Sequence, residues 1–278
     1  MSSPEKPSGK ASTPTASYVA TGSFHRLSHS AELLYLLVLK ELKVRYKSSV
    51  LGYLWALANP FAFAFVYWMA FKYIMRVKMD NYSLYLITGI FPWLWLSTGI
   101  TQATRSFQNN ASLVKKVQVP RAILPLSNIA QELVHFLFAL PVIVAFLVFA
   151  GSFGLHGSWV WQLPMMMAVQ IAFVYPLALI FALCNVFVHD IEYLVGIGFS
   201  MLFFLTPMVY PISMVPAPLR PYFEINPLHA LVDNWREVFF SGTVDAVSLA
   251  YTLAWAALFS VVAWFTYRRL APRIAEIL

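Results

Sequence analysis

The sequence predicts an all-α membrane protein: six transmembrane helices, an amphipathic interface helix ahead of them, and short re-entrant or periplasmic helices between the fifth and sixth. Three observations support this. Of the 278 residues, 60% are hydrophobic and 17% aromatic. Only 11% are charged, against roughly 25% in an ordinary soluble domain. Weakly charged stretches also recur at the length of about 20 residues that a helix needs to cross a hydrocarbon layer of about 30 Å.

The elements follow in order. Residues 1–29 form a tail whose opening is rich in Ser, Thr, Pro and Ala and lacks the apolar core of a cleavable signal, so it is expected to be disordered and cytoplasmic. Over 31–47, Tyr35, Leu39, Leu42 and Tyr46 recur at helical spacing beside a Lys40, Lys43, Lys47 row and a Glu41/Arg45 pair. That pattern suits a helix lying along the inner interface. Ser48, Ser49 and Gly52 then permit an elbow. The spans fall at about 50–71, 82–104, 124–150, 162–187, 193–212 and 246–267, making 30–278 one transmembrane domain. Asn59-Pro60 removes a backbone hydrogen bond inside the first span, and a kink is expected there. The segment 215–245 mixes apolar residues with Glu224, Asp233, Arg236 and Glu237. It is too polar to span, and reads as short helices dipping back or covering an exit.

Orientation follows from the basic residues, which are biased to cytoplasmic loops. With the N-terminus inside, fourteen of the 19 Lys and Arg lie in inner segments. The other five (Lys72, Arg76, Lys78, Arg220 and Arg236) lie outside. The balance places both termini in the cytoplasm, with Lys72, Arg76 and Lys78 running against the rule.

The net charge of +7 flanks apolar segments rather than covering a polar surface, which points to an anionic membrane face and not to nucleic acid. Cys184 is the single cysteine, so neither an intrachain disulfide nor a Cys-rich metal site can form. No G-x-x-x-x-G-K-[ST] loop exists to cradle nucleotide phosphates, nor any HExxH or GxSxG motif. The chain is therefore read as no enzyme, with no cofactor or metal of its own. Any ATP must be handled by another chain.

Several positions suggest function. Glu132 and His135 sit three residues apart within the third span, where a charge costs roughly 2.5–3.5 kcal/mol. A metal ligand pair, a proton-coupled site and a hydrogen-bonded interface group are all compatible with them. His189, Asp190 and Glu192 occupy the inner turn between the fourth and fifth spans, either solvated or docked to a partner. The inner loop 106–125 combines a short helix candidate, 111–117, with Lys115, Lys116, Arg121 and two prolines. A docking surface and contact with anionic lipid both fit it. Phe91, Pro92, Trp93 and Trp95 fall well inside the second span, away from the interfaces. Aromatic faces in a wet channel could pack against the C–H faces of sugars and let a polymer slide.

The stretches RYKSSVLGYLWALANP, GIFPWLW, LVKKVQVPRAILPLSN, NVFVHDI, FFLTPMVYPISMVP and NPLHALVDNWREVFFSG resemble, in order and spacing, the membrane subunits of ABC exporters for bacterial surface polysaccharides, the O-antigen, teichoic-acid and capsule permeases. The resemblance covers about residues 30–278. It implies a homodimeric inner-membrane channel for a lipid-linked polysaccharide, driven by two copies of a separate subunit that binds ATP and Mg. By that resemblance Arg45, Tyr46, Lys115, Lys116, Pro120, Arg121, His189 and Asp190 face the ATPase. Trp55, Phe91, Trp93, Trp95, Glu132 and Tyr210 are assigned to the translocation path, and Asn226, Pro227 and Arg236 to the exit gate. His189 departs from the family, whose members commonly carry Arg before the Asp, which would make that contact weaker or pH-dependent near neutrality. The alternatives are an ABC exporter of small amphiphiles or lipids, and an ion-coupled secondary transporter using Glu132.

Overall fold

In the computed structural model, which describes residues 23–46, 54–70, 73, 82–116, 120–149 and 156–278, every regular element is a helix. A chain in lipid must satisfy its backbone within each segment, and helices do so. In order these are α1 (Ser23–Tyr46), α2 (Leu54–Met69), α3 (Tyr82–Thr104), α4 (Ser106–Asn109), α5 (Ala111–Lys116) and α6 (Ile123–Phe149). They continue as α7 (Trp159–Phe187), α8 (Ile191–Leu205), α9 (Arg220–Glu224), α10 (Pro227–Ser241), α11 (Ala246–Leu270) and α12 (Ile274–Ile277).

Among the described residues four helices are long and apolar enough to cross a membrane: Leu84–Thr104, Ile123–Val148, Trp159–Phe187 and Ala246–Arg273. They share the membrane unequally. The apolar window of α3 is 72% buried and that of α11 only 17%, so α3 is the central helix of the fold while α11 presents most of its surface outward. α3 packs on α6 and α7, and α11 lies on the far side of α7.

The core is aromatic. Trp95 stacks on Phe136 with centroids 5.2 Å apart, Phe136 meets Trp235 edge-on at 5.0 Å, and Trp235 stacks on Phe239 at 5.9 Å. Each such pair adds about 0.5–1.5 kcal/mol to its area burial. Two polar links hold the stack in register. Trp95 Nε1 donates to the Ile129 carbonyl at 3.1 Å, while Gln170 accepts from Trp235 Nε1 at 2.6 Å and donates to the Pro92 carbonyl at 2.9 Å.

The observed elements depart from the sequence reading in two places. The helix expected to reach residue 212 stops at Leu205, because Thr206 precedes Pro207 and is forced into extended backbone (φ −102°, ψ 132°). α1 begins at Ser23, eight residues before 31, so residues 23–29 of the expected disordered tail are helical; residues 1–22 lie outside the described part. On α1, Leu37 packs with Ile123 and Leu124 of α6 and Leu183 of α7 and Leu42 is buried, while Tyr35 is 63% exposed. α2 runs through positions 59 and 60. The elbow at Ser48, Ser49 and Gly52, and Lys72, Arg76 and Lys78, lie outside the described residues.

The connection from α8 to α11 carries α9 and α10, as the mixed polarity of 215–245 suggests. Asn226 caps α10, accepting from Leu228 N at 3.0 Å, with Pro227 in the first turn. α10 ends at Gly242 with φ +63°, a left-handed cap natural to glycine. A Cβ there would also lie 2.6 Å from the ring of His156.

Candidate translocation groove and inner docking face

A cavity of about 500 Å³ runs between α2, α3 and α8. Phe63 contributes from α2, Trp93, Ser97, Thr101 and Gln102 from α3, and Gly196, Phe199, Ser200 and Phe203 from α8. Trp93, Ser97 and Thr101 recur every four residues, with Gln102 beside the last, so one helix face supplies an aromatic followed by a polar row. Trp93 meets Phe203 and Phe199 edge-on at 5.8 and 6.1 Å. Ser97 donates to the Trp93 carbonyl at 2.9 Å, Thr101 to the Ser97 carbonyl at 2.8 Å and Ser200 to the Gly196 carbonyl at 2.9 Å. The hydroxyl protons of these three residues are thus spent on their own helices, leaving their oxygens as acceptors toward the groove. An aromatic wall beside a row of acceptors can take up a polyhydroxylated chain without holding it in one register.

Glu132 lies at the polar end of this groove but outside it. It is buried between α3 and α6, where Gln102 Nε2 donates to Oε1 at 2.9 Å and His135 Nδ1 lies 3.2 Å from Oε2. Trp95 and Phe91 are buried inside the subunit at 2% exposure each, and Trp93 touches the groove by one edge. Trp55 stands on the exposed side of α2. Tyr210 is half-buried past the end of α8, its hydroxyl on the Phe204 carbonyl. Of the six residues assigned to the path, the fold therefore brings only Trp93 to this groove. Ser97, Thr101, Gln102 and Ser200 were missed. The four-residue spacing of Trp93, Ser97 and Thr101 along one face of α3 was the signal available.

At the end of the helices that carries the 106–125 loop, Lys115, Lys116, Pro120, His189 and Asp190 are exposed and Arg121 is half-buried. The side chains of Arg45 and Tyr46, in the last turn of α1, lie outside the described residues. A polar clamp ties these pieces together. Arg105 grips Glu192 with two contacts, Nε to Oε2 at 2.7 Å and Nη2 to Oε1 at 3.0 Å. Asn185 donates to the Thr104 carbonyl at 3.1 Å and accepts from Glu192 N at 3.1 Å, and its own carbonyl takes Gln108 Nε2 at 3.0 Å. Lys40 of α1 reaches Asn110 Oδ1 at 2.8 Å. The α3–α5 corner, the α7–α8 turn and α1 are thus joined into one connected polar face.

The family model described as "ABC-2 type transporter" matches residues 32–240. The chain belongs to the ABC-2 type transporter family. Among relatives of this ABC-2 type chain, an O-antigen export system permease protein RfbA of Klebsiella pneumoniae is 39% identical over 254 residues, 91% of this chain and 98% of the relative. One of the same name from Myxococcus xanthus is 31% identical over 236 residues, covering 84% and 88%. A polysialic acid transport protein KpsM of Escherichia coli is 26% identical over 237 residues, covering 82% and 88%.

In this ABC-2 type chain, Asn226 and Arg236, both assigned to the exit gate, each fasten α10 to the segment 206–208. Asn226 Nδ2 donates to Thr206 Oγ1 at 2.9 Å, fastening α10 to the end of α8. Arg236 is 6% exposed and spans from Asp233 (2.7 Å) to the carbonyls of Pro207 (2.8 Å) and Met208 (3.1 Å), above the ring of Tyr85 at 3.9 Å. His229, two turns before Arg236 on α10, has Nδ1 3.1 Å from Asp233 Oδ2. Burial holds its pKa below the ordinary 6.5; Asp233 and Glu224 oppose that shift and Arg236 adds to it. An unfolded His229 takes up its proton near 6.5, whereas the folded one resists until lower pH. Stability from this residue is therefore complete well above pH 6.5 and declines as pH falls through 6.5 toward the folded value. The thermal midpoint of the solubilised protein should drop more between pH 7.5 and pH 5.5 in the native chain than in His229→Gln. Equal drops would remove His229 as the cause.

Proposed function

We propose that this chain is the channel-forming membrane subunit of an ABC exporter that passes a lipid-linked polysaccharide, of the O-antigen type, across the bacterial inner membrane. The groove between α2, α3 and α8 carries this reading, because its chemistry suits sugars: aromatic edges for C–H faces and hydroxyl oxygens for O–H groups. The names and coverage of the relatives support the same substrate class. In the proposed assembly six spans, counting α2 and α8, place both termini in the cytoplasm. Two copies face each other so that their open grooves close on one path. The exposed aromatic side of α2, with Phe61, Phe63 and Phe65, supports such a partner surface.

The chain has no phosphate-cradling loop, so two copies of a separate ATP-binding subunit, with Mg, supply the energy. Their seat is Lys115, Lys116 and Pro120 together with His189 and Asp190, the exposed part of the clamped inner face, and it extends to Arg45 and Tyr46. Motion of that face reaches the groove through α3 and α8, which carry both the clamp and the groove lining. Asn226, Pro227 and Arg236 hold α10 at the exit. Glu132 acts by fixing α3 to α6, since Gln102 and His135 of its own subunit engage both of its oxygens.

Glycine supplies the test. Gly196 and Gly198 both have open space where a Cβ would stand, yet Gly196 faces the groove and Gly198 the apolar side of α8 toward α7 and α11. Gly196→Phe should cut surface polysaccharide about tenfold or more by narrowing the path, as pore width governs passage. Gly198→Phe should leave export near the native level. Equal export by both variants, at matched membrane abundance, would dismiss the groove as the path.

A further inference from the structure

We infer that the inner end of α11 carries a binding site for the phosphate headgroup of an anionic membrane phospholipid, lodged between Arg121 and Arg268. A cavity of about 340 Å³ opens there, lined by Pro120, Arg121, Tyr267, Arg268, Ala271 and Pro272. It shares no residue with the groove, so it does not belong to the translocation path. Two guanidinium groups line one small cavity. Among the described residues the ion pairs join Lys40–Glu41, Arg105–Glu192, His135–Glu132 and Asp233 with His229 and Arg236, so no carboxylate neutralises Arg121 or Arg268. Arg269 and Arg273 stand exposed close by and add to the positive field.

Depth identifies the ligand. α11 turns Leu258, Val261, Val262, Trp264 and Phe265 outward, each between 43% and 54% exposed, as a lipid-facing band that ends at residue 265. Arg268 follows one turn after Trp264 and lies over its indole at 4.1 Å. A helical turn rises about 5.4 Å, which places the guanidinium in the headgroup layer just beyond an aromatic of the interfacial belt. Planar guanidinium groups match phosphate oxygens in paired hydrogen bonds, and basic pockets at helix ends on the cytoplasmic side are suited to anionic headgroups. An acidic residue of the ATP-binding subunit is the competing occupant. The lipid is favoured because the cavity adjoins the outward apolar face of α11, where Trp264 and Phe265 are about half exposed one turn before Arg268.

Native mass spectrometry of the full chain with its co-purifying ATPase subunit, after delipidation and titration with phosphatidylglycerol or phosphatidylcholine of the same acyl chains, tests this. The native protein should retain the anionic lipid preferentially, and Arg121→Gln/Arg268→Gln should reduce that preference about thirtyfold, given two basic contacts. Arg269→Gln/Arg273→Gln, which leaves the lining intact, should keep most of it. Unchanged selectivity in the Arg121/Arg268 variant would overturn the site. Loss of the ATPase subunit with selectivity retained would hand the arginines to that partner, and displacement of the lipid by millimolar inorganic phosphate would show a free-anion site; both refute the inference.

Discussion

Replacing Arg236 by leucine should lower the stability of the solubilised protein by about 3 kcal/mol, because the buried guanidinium holds groups from three parts of the chain at once. Its removal leaves the Met208 carbonyl without its partner and opens a void beneath Tyr85. The Pro207 carbonyl keeps the Tyr85 hydroxyl at 3.1 Å, which limits the damage. Arg236→Lys retains the charge but lacks the fork needed to reach Asp233 and both carbonyls together, so its midpoint should fall between those of leucine and the native residue. Gly89 provides an independent check. A Cβ at Gly89 would sit 2.8 Å from Arg236 Nη2, and that atom is pinned by two hydrogen bonds, so it cannot move aside cheaply. Gly89→Val should therefore destabilise by a comparable overpacking cost of about 1–3 kcal/mol. Combined with Arg236→Leu it should cost less than the sum, since the clash is gone. A leucine variant that melts with the native protein would refute the clamp.

Reversing charge at Lys115 and Lys116 should abolish the association with the ATP-binding subunit. Both side chains are exposed on a six-residue helix and have no fixed intramolecular role, so Lys115→Glu/Lys116→Glu should leave the fold intact. Facing an acidic partner surface, the change from two positive to two negative charges converts attraction into repulsion, with a loss of about a hundredfold in affinity at low salt. Higher ionic strength should narrow the gap, because exposed charges are screened within about 10 Å at 0.1 M salt. Co-purification of the ATPase subunit and surface display of polymer are the two measurements. Their persistence at native levels would move the seat away from this loop. Separating Arg105 from Glu192 by Arg105→Ala should behave differently, leaving association largely intact while uncoupling nucleotide hydrolysis from export.

Much of the architecture was legible before any coordinates. Hydropathy located the long helices to within a few residues, and the polar content of 215–245 marked a non-spanning insert. The end of α8 at Leu205 was in principle legible too, since Thr206-Pro207 is a helix-stopping pair, but the apolar run continuing to Ile212 outweighed it. The clamp of Asn185, Gln108, Arg105 and Glu192 joins positions up to 87 residues apart, a link that no local pattern carries. Arg236 looked like a surface charge at an exit, and only its four partners reveal it as a buried tie.

Composition and spacing sufficed to establish a helical membrane protein, because desolvating backbone and charge in lipid costs so much that few sequences of this kind have another solution. Which way each helix turns was settled by packing. A helix in lipid is apolar both where it meets the bilayer and where it meets its neighbours, so the water-facing contrast that orients soluble helices is missing. Trp95 therefore turned inward to Ile129 and Phe136, and Ser97 and Thr101 turned toward the groove, through shape and hydrogen bonding between helices.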